Sequence, residues 1–130
     1  LHIITNGLNL LLHFSENSNF FVQSCGGTLQ HGFNSLIGPK AEENLQQFSA
    51  SKAFFSCSAI HENGLYELST FTAKTKKIML ERSSTNYLIA DSSKFKEVAL
   101  YKSIELEMVK NIITDFRAAF LPKHVNRIIV

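Results

Sequence analysis

Asp91-Ser92-Ser93-Lys94-Phe95 places an acid, two hydroxyls, an ammonium and an aromatic ring within five residues. It directly follows Tyr87-Leu88-Ile89-Ala90, a short continuous apolar run of the kind that forms a buried strand. In open α/β sheets, ligands bind outside the carboxyl ends of the strands. One lysine among small polar donors suits a phosphate or another oxyanion. Asp91, Ser92 and Lys94 are therefore candidate binding residues. The same residues also read as a strand-terminating Asp in an Asx-turn followed by a solvated Lys. The residues alone leave both readings open.

Gly26-Gly27-Thr28 follows a second apolar run. Such a segment can turn backbone N–H groups toward an anion, with the Thr28 hydroxyl as a further donor. A glycine pair equally well makes a plain turn. Ala73, Lys76, Lys77 and Leu80 fall at i, i+3, i+4 and i+7, which puts lysines on the same helical stripe as apolar residues. Either these lysines snorkel to the stripe's edge, or one of them, Lys76, meets a bound phosphate. Asp91, Asp115, Glu62 and His61 could assemble a general acid/base pair, but their spacing does not demand one. The five histidines show no metal-ligand spacing, and no His-x-His, Cys-x-x-Cys or His-Glu-x-x-His pattern occurs. Neither a metal site nor a cofactor is expected. There is no Gly-x-Ser-x-Gly elbow and no Walker motif, so no catalytic residue is assigned.

The elements that must position these residues alternate in type. His2–Thr5 reads as a strand, with Asn6 capping a helix to about Phe14 that buries Leu8, Leu11 and Leu12. Phe20–Cys25 reads as a strand. Gly38-Pro39 opens a second helix, with Ala41, Leu45 and Phe48 on one face. Ala53–Ala59 is a strand and His61-Glu62-Asn63-Gly64 a loop. Thr72 to about Ser83 is a third helix, followed by strands Asn86–Asp91 and Val109–Thr114. The tail adds a helical turn after Pro122 and a last strand at Ile128–Val130. This alternation predicts an α/β domain, Rossmann-like, with a mainly parallel sheet and helices on both faces. Its strand ends would present Thr5-Asn6, Cys25 to Thr28, Ser58, Asp91 to Lys94 and Asp115 as a small, polar, glycine-rich rim.

At 130 residues with 45% hydrophobic side chains and eleven Phe, the chain can fill one core. The net charge of +2 is small and the basic residues are scattered. No basic stripe for gripping nucleic acid is present. Cys25 and Cys57 end apolar runs and read as small buried hydrophobes in a reducing compartment. No membrane span or signal peptide is visible, which makes a cytoplasmic location the expectation. The chain starts inside a strand, at Leu1-His2-Ile3-Ile4-Thr5, and is expected to be a fragment of a longer protein.

Taken together, these segments resemble the carboxy-terminal sensor domain of DeoR-family bacterial transcription regulators. Thr5-Asn6 resembles that family's strand-ending Thr-Asn, and Gly26-Gly27-Thr28-Leu29 with Ser35 and Gly38 its glycine-pair segment. Ala53-Phe54-Phe55 resembles the central strand. Gly64-Leu65, then Lys76-Lys77 and Met79, fits its Gly-Leu and Lys-Arg-x-Met spacing. Asp91-Ser92-Ser93-Lys94-Phe95 is the most recognisable match, and Ile112-Ile113-Thr114-Asp115 matches the strand before the carboxy-terminal element. The matches are collinear over roughly residues 5–115. Tyr66-Glu67 departs from the pattern, standing where small hydroxyl residues are usual.

The resemblance implies a fold related to ribose-phosphate isomerases and CoA transferases, and a phosphorylated sugar as effector. Gly26, Gly27 and Thr28 would hold the phosphate, Lys94 and Lys76 would neutralise it, Asp91 would meet sugar hydroxyls or orient Lys94, and Ser92 is small enough to let the phosphate approach. It also implies a homodimer or larger homo-oligomer, regulation of carbohydrate genes as a repressor, and DNA contact only through an upstream winged helix-turn-helix. That domain and the family's upstream Gly-Thr-Thr loop are not in these 130 residues. The alternatives are a small phosphosugar isomerase and a domain that only oligomerises. The isomerase relatives carry an acid-rich loop after the central strand. Here Ser56–Asn63 offers Glu62 alone, which favours binding over catalysis.

Overall fold

A computed structural model describes residues 1–17, 19–95 and 99–130. The chain divides into two compact units, Leu1–Phe48 and Ser49–Val130.

In the first unit, strand β1 (His2–Thr5) pairs in parallel with β2 (Phe21–Ser24), in register from His2 opposite Phe21 to Thr5 opposite Ser24. Helix α1 (Leu8–Asn17) makes the crossover. Its first i to i−4 bond runs from the Leu11 N–H to the Gly7 carbonyl. Gly7 thus stands at the cap position, and Asn6 lies one residue before it. The Asn6 amide instead donates to the Leu36 carbonyl. Leu8 and Leu11 are half-buried, but Leu12 is 63% exposed, so the apolar face of α1 is narrower than its leucines suggest. Strands β3 (Thr28–Gln30) and β4 (Ser35–Ile37) form an antiparallel hairpin that the glycine pair introduces. Helix α2 (Pro39–Gln46) follows Gly38, whose φ of 93° needs a glycine. Ala41 and Leu45 are its buried residues, and Phe48 beyond it is half-buried.

The second unit is built on a parallel four-stranded sheet of order β11-β10-β8-β5, with β5 Ala50–Phe55, β8 Ser83–Ile89, β10 Asn111–Thr114 and β11 Asn126–Ile129. The fold is α/β with a mainly parallel central sheet, as the alternation of patterns predicts. Phe55, Leu88 and Ile112 lie in one register row and are buried. With Ile60, Leu65, Ile104, Leu106 and Val109 they belong to one apolar cluster. Helix α3 (Thr70–Glu81) is capped by Ser69, whose hydroxyl accepts from the Thr72 N–H, and buries Ala73, Thr75 and Leu80.

Three differences from the sequence reading have local causes. The apolar run Ala53–Ala59 is two elements, because β5 ends at Phe55 and the chain turns through Ser56–Ser58 into β6 (Ala59–His61). The expected loop at His61–Gly64 is the tip of a hairpin between β6 and β7 (Gly64–Glu67), and β9 (Tyr101–Ile104) completes that three-stranded antiparallel sheet. Gly64, at φ 138°, lies so close to β9 that a Cβ would sit 2.7 Å from the Ile104 carbonyl oxygen. Finally, β8 starts at Ser83 rather than Asn86, and residues 123–125 form a plain turn before a strand that starts at Asn126.

Candidate functional site

All four strands of the parallel sheet point their carboxyl ends to one edge. Ser56-Cys57-Ser58 lies beyond β5, Ala90-Asp91 beyond β8 and Asp115 beyond β10. Ala90 and Asp91 lead into a single 3-10 turn, Ser92–Lys94. The Asp91 carboxylate caps it, accepting from the Ser93 N–H at 2.8 Å and from the Ser93 hydroxyl. These bonds hold the exposed Asp91 carboxyl below the usual carboxylate range, with the neighbouring Lys94 charge adding to the effect. The Asx-turn reading of this segment thus describes its local geometry, and both bonds fall on Asp91 Oδ1. Ser92 Oγ lies 3.5 Å from Asp115 Oδ2, at the long limit of a hydrogen bond.

The turn is anchored by Phe95. Its ring packs at 4.8 Å from that of Phe116 and 6.3 Å from that of Phe120, and its backbone bridges to Ile60. Lys94 is consequently held half-buried at the sheet edge. Among the described residues, its ammonium makes no hydrogen bond or ion pair. A neighbouring Lys96 and its flanking residues at 97 and 98 lie outside the described residues.

Lys76 has a different environment. It reaches from α3 to the carboxyl end of β5, where Nζ donates to the Ser56 carbonyl at 2.6 Å and to Glu67 Oε1 at 2.5 Å. The other Glu67 oxygen accepts from the Ser58 hydroxyl at 3.1 Å. Glu67 is only 3% exposed, and this pairing explains how a carboxylate is kept in that position. The Cys57 thiol lies within the same group. It is pushed up to about 12, foremost by burial and then by the Glu67 charge, against the pull of Lys76 and Lys94. Both ammonium charges therefore act on one buried thiol. Glu67 and Ser58 were not read as a unit from the sequence. The available signal was an acid at an otherwise apolar position, nine residues before a lysine on an apolar helical stripe. Lys77, the other lysine of that stripe, is exposed.

Gly26, Gly27 and Thr28 belong to the first unit. Both glycines have positive φ, 71° and 105°. The Gly26 N–H donates to the Ser24 hydroxyl at 2.9 Å, and a Cβ on Gly27 would lie 2.6 Å from the Ile37 carbonyl oxygen and 2.8 Å from the Ala41 Cβ. Close approach of backbone to α2 is thus one reason for the glycine pair. Asn44 fixes the segment from α2, its amide donating to the Cys25 carbonyl.

His61 and Glu62 sit at the β6–β7 hairpin tip, where the His61 ring accepts from the Asn63 N–H. No hydrogen bond among the described residues joins them to Asp91 or Asp115. Among the described residues there is also no cluster of metal-ligating side chains, and no helix long and apolar enough to cross a membrane.

Comparison with known proteins agrees with this architecture. The family described as the DeoR C terminal sensor domain matches residues 1–116. The chain is 35% identical over 116 residues to the HTH-type transcriptional regulator YulB of Bacillus subtilis, covering 88% of this chain and 45% of that protein. It is 31% identical to the L-fucose operon activator of Haemophilus influenzae, covering 87% of this chain and 46% of that protein. It is also 31% identical to the transcriptional repressor AccR of Agrobacterium fabrum, covering 88% and 45%. The chain thus spans about half the length of the curated relatives it matches. With the family profile covering residues 1–116 of the chain, this protein belongs to the DeoR C terminal sensor domain family.

Proposed function

We propose that this chain is the effector-sensing and self-associating part of a transcriptional regulator of carbohydrate use, and that the effector is a phosphorylated sugar. The observation that carries this reading is the anchored turn Asp91–Lys94 at the carboxyl edge of the parallel sheet, with an ammonium that makes no hydrogen bond or ion pair among the described residues. A half-buried, uncommitted cation among small hydroxyl residues is suited to an oxyanion. Relatives named as the L-fucose operon activator and the putative aga operon transcriptional repressor point the effector toward sugars. In this reading Lys94 pairs with the phosphate, Ser92 donates its hydroxyl, and Asp91 Oδ2 accepts from a sugar hydroxyl. Lys76 contributes a hydrogen bond. In the first unit, Gly27 and Thr28 offer backbone N–H groups and a hydroxyl to an anion, while the Gly26 N–H is already engaged by Ser24.

The chemistry favours a binder over a phosphosugar isomerase. The segment after β5 carries Glu62 as its one carboxylate, at a hairpin tip, so no acid/base pair is assembled there. DNA contact would belong to a part of the regulator outside these residues, because the chain has no basic stripe. The test is calorimetric titration of the full regulator with pentose and hexose monophosphates, alongside a turnover assay with the same compounds. Saturable binding without turnover is expected. If no phosphate ester binds, the sensing reading fails and a role in assembly alone replaces it; turnover would make the protein an enzyme. Self-association is tested by sedimentation of these 130 residues, where a mass of 14.6 kDa at high concentration would contradict it.

A further inference from the structure

We infer that Glu67 is a positioning residue of the effector site, its buried carboxylate holding the Lys76 ammonium at the carboxyl end of β5 so that one ammonium proton is left for a phosphate oxygen. The inference rests on the sugar-phosphate reading above and adds to it a residue that neither the sequence pattern nor that reading assigns.

A lysine side chain is a compact charge on a flexible four-carbon stem, and it points nowhere in particular unless partners fix it. Lys76 has two such partners. The Ser56 carbonyl belongs to the first residue beyond β5, so it sets where along the sheet the ammonium stands. Glu67 Oε1 sets the direction of approach from the hairpin strand β7. Glu67 is itself held, because Ser58, two residues further along the same turn, donates to Oε2. No buried side-chain polar atom among the described residues is left without a partner. An ammonium has three donors, and the two bonds to protein leave one. Lys94 precedes Phe95, whose backbone bridges to Ile60, three residues beyond Cys57. One lysine is thus uncommitted and the other oriented, around the same strand end.

A carboxylate so close to an anion site makes the sign of its effect diagnostic. If Glu67 were only a nearby negative charge, removing it would tighten phosphate binding. If it positions Lys76, removing it must weaken binding despite the relief of repulsion. The experiment measures affinity for a panel of pentose 5-phosphates and hexose 6-phosphates in wild type, Glu67→Gln, Glu67→Ala and the double variant Glu67→Gln/Lys76→Met. Glutamine keeps an acceptor for Lys76 and removes the charge. We expect Glu67→Gln to bind within about threefold of wild type, and Glu67→Ala and the double variant to bind roughly tenfold more weakly or worse, as loss of one hydrogen bond to a charged group implies. Unchanged or tighter binding by Glu67→Ala overturns the inference, as does Glu67→Gln falling to the level of the alanine variant. Should Glu67→Ala fail to fold, the glutamine pair decides, since glutamine keeps an acceptor for Lys76 and the double variant removes both charges; equal affinities there overturn the inference. Failure of the wild type to bind any member of the panel defeats the sensing reading itself, and the positioning role with it. Binding by wild type with an unaffected double variant defeats the positioning role alone.

Discussion

Two lysines that the resemblance assigns to one phosphate should differ in what their truncation does to stability. Lys76→Ala removes one partner of an ion pair in which the carboxylate side chain is 4% exposed and the lysine side chain 20% exposed. The Glu67 carboxylate would keep only the Ser58 hydroxyl. Removing one partner of a buried pair destabilises by about 3–5 kcal/mol, because the remaining charge is left uncompensated. Lys76 keeps partial contact with water, so we place the loss at the lower end, about 3 kcal/mol. With a urea m-value of about 2 kcal/mol/M, that is a midpoint roughly 1.5 M lower. Lys94→Ala breaks no pair or hydrogen bond among the described residues, and its effect should stay within about 0.5 kcal/mol. In return, Lys94→Ala should weaken phosphate-ester binding by roughly ten- to a hundredfold, the equivalent of about 1.5–3 kcal/mol for a charge-assisted bond. Urea unfolding followed by far-UV circular dichroism suits a chain without tryptophan. Equal midpoints for the two variants would refute the assignment of Glu67 as a buried partner of Lys76. So would failure of Lys76→Met/Glu67→Gln, which removes both charges, to recover most of the Lys76→Ala loss.

Other consequences are local. Gly27→Ala must place a Cβ against the Ile37 carbonyl and Ala41 at a φ of 105°; we expect a loss of about 2–3 kcal/mol. Gly32→Ala has open space around the new Cβ and should lose only about 1 kcal/mol from its positive φ. Matching losses in thermal unfolding would contradict the packing argument. The Asp91 carboxyl titrates below its ordinary value because Ser93 bonds its charged form. Its contribution to stability is present above the unfolded carboxylate pKa and is lost as pH falls through the lower folded value. Ser93→Ala should move the carboxyl upward in an NMR titration, and an unmoved Asp91 would sink that attribution. Cys57, raised to about 12, should resist Ellman's reagent at pH 8 until the chain is unfolded in urea. The stability that its protonated form contributes should be fully present below the ordinary thiol value of 9.0 and decline as pH rises toward 12. Rapid native labelling would contradict its burial.

The limits of sequence reading here follow from the range of the forces involved. Apolar runs such as Tyr87-Leu88-Ile89-Ala90 specify strands by themselves, because hydrophobic burial is a local demand, although which side chains leave water is settled by packing: Leu88 and Ala90 are buried and Ile89 is 47% exposed. The turn chemistry of Asp91-Ser92-Ser93 and the Pro39 start of α2 are also local, and both are legible. Alternation of such segments was enough to indicate a parallel α/β sheet. The hairpins β3–β4 and β6–β7 were not legible. Their strands are three or four residues long, and their existence depends on pairing with partners rather than on any residue's propensity. Strand β5 likewise ends at Phe55 because the chain turns there to make β6, though the apolar run continues. The difference between Lys76 and Lys94 was also out of reach. In the sequence Lys94 follows an apolar run and Lys76 lies on an apolar helical stripe, and neither pattern names a partner. Which one is paired depends on whether a carboxylate nine residues before Lys76 is folded back across the strand end, and only the tertiary arrangement of β7 against α3 decides that.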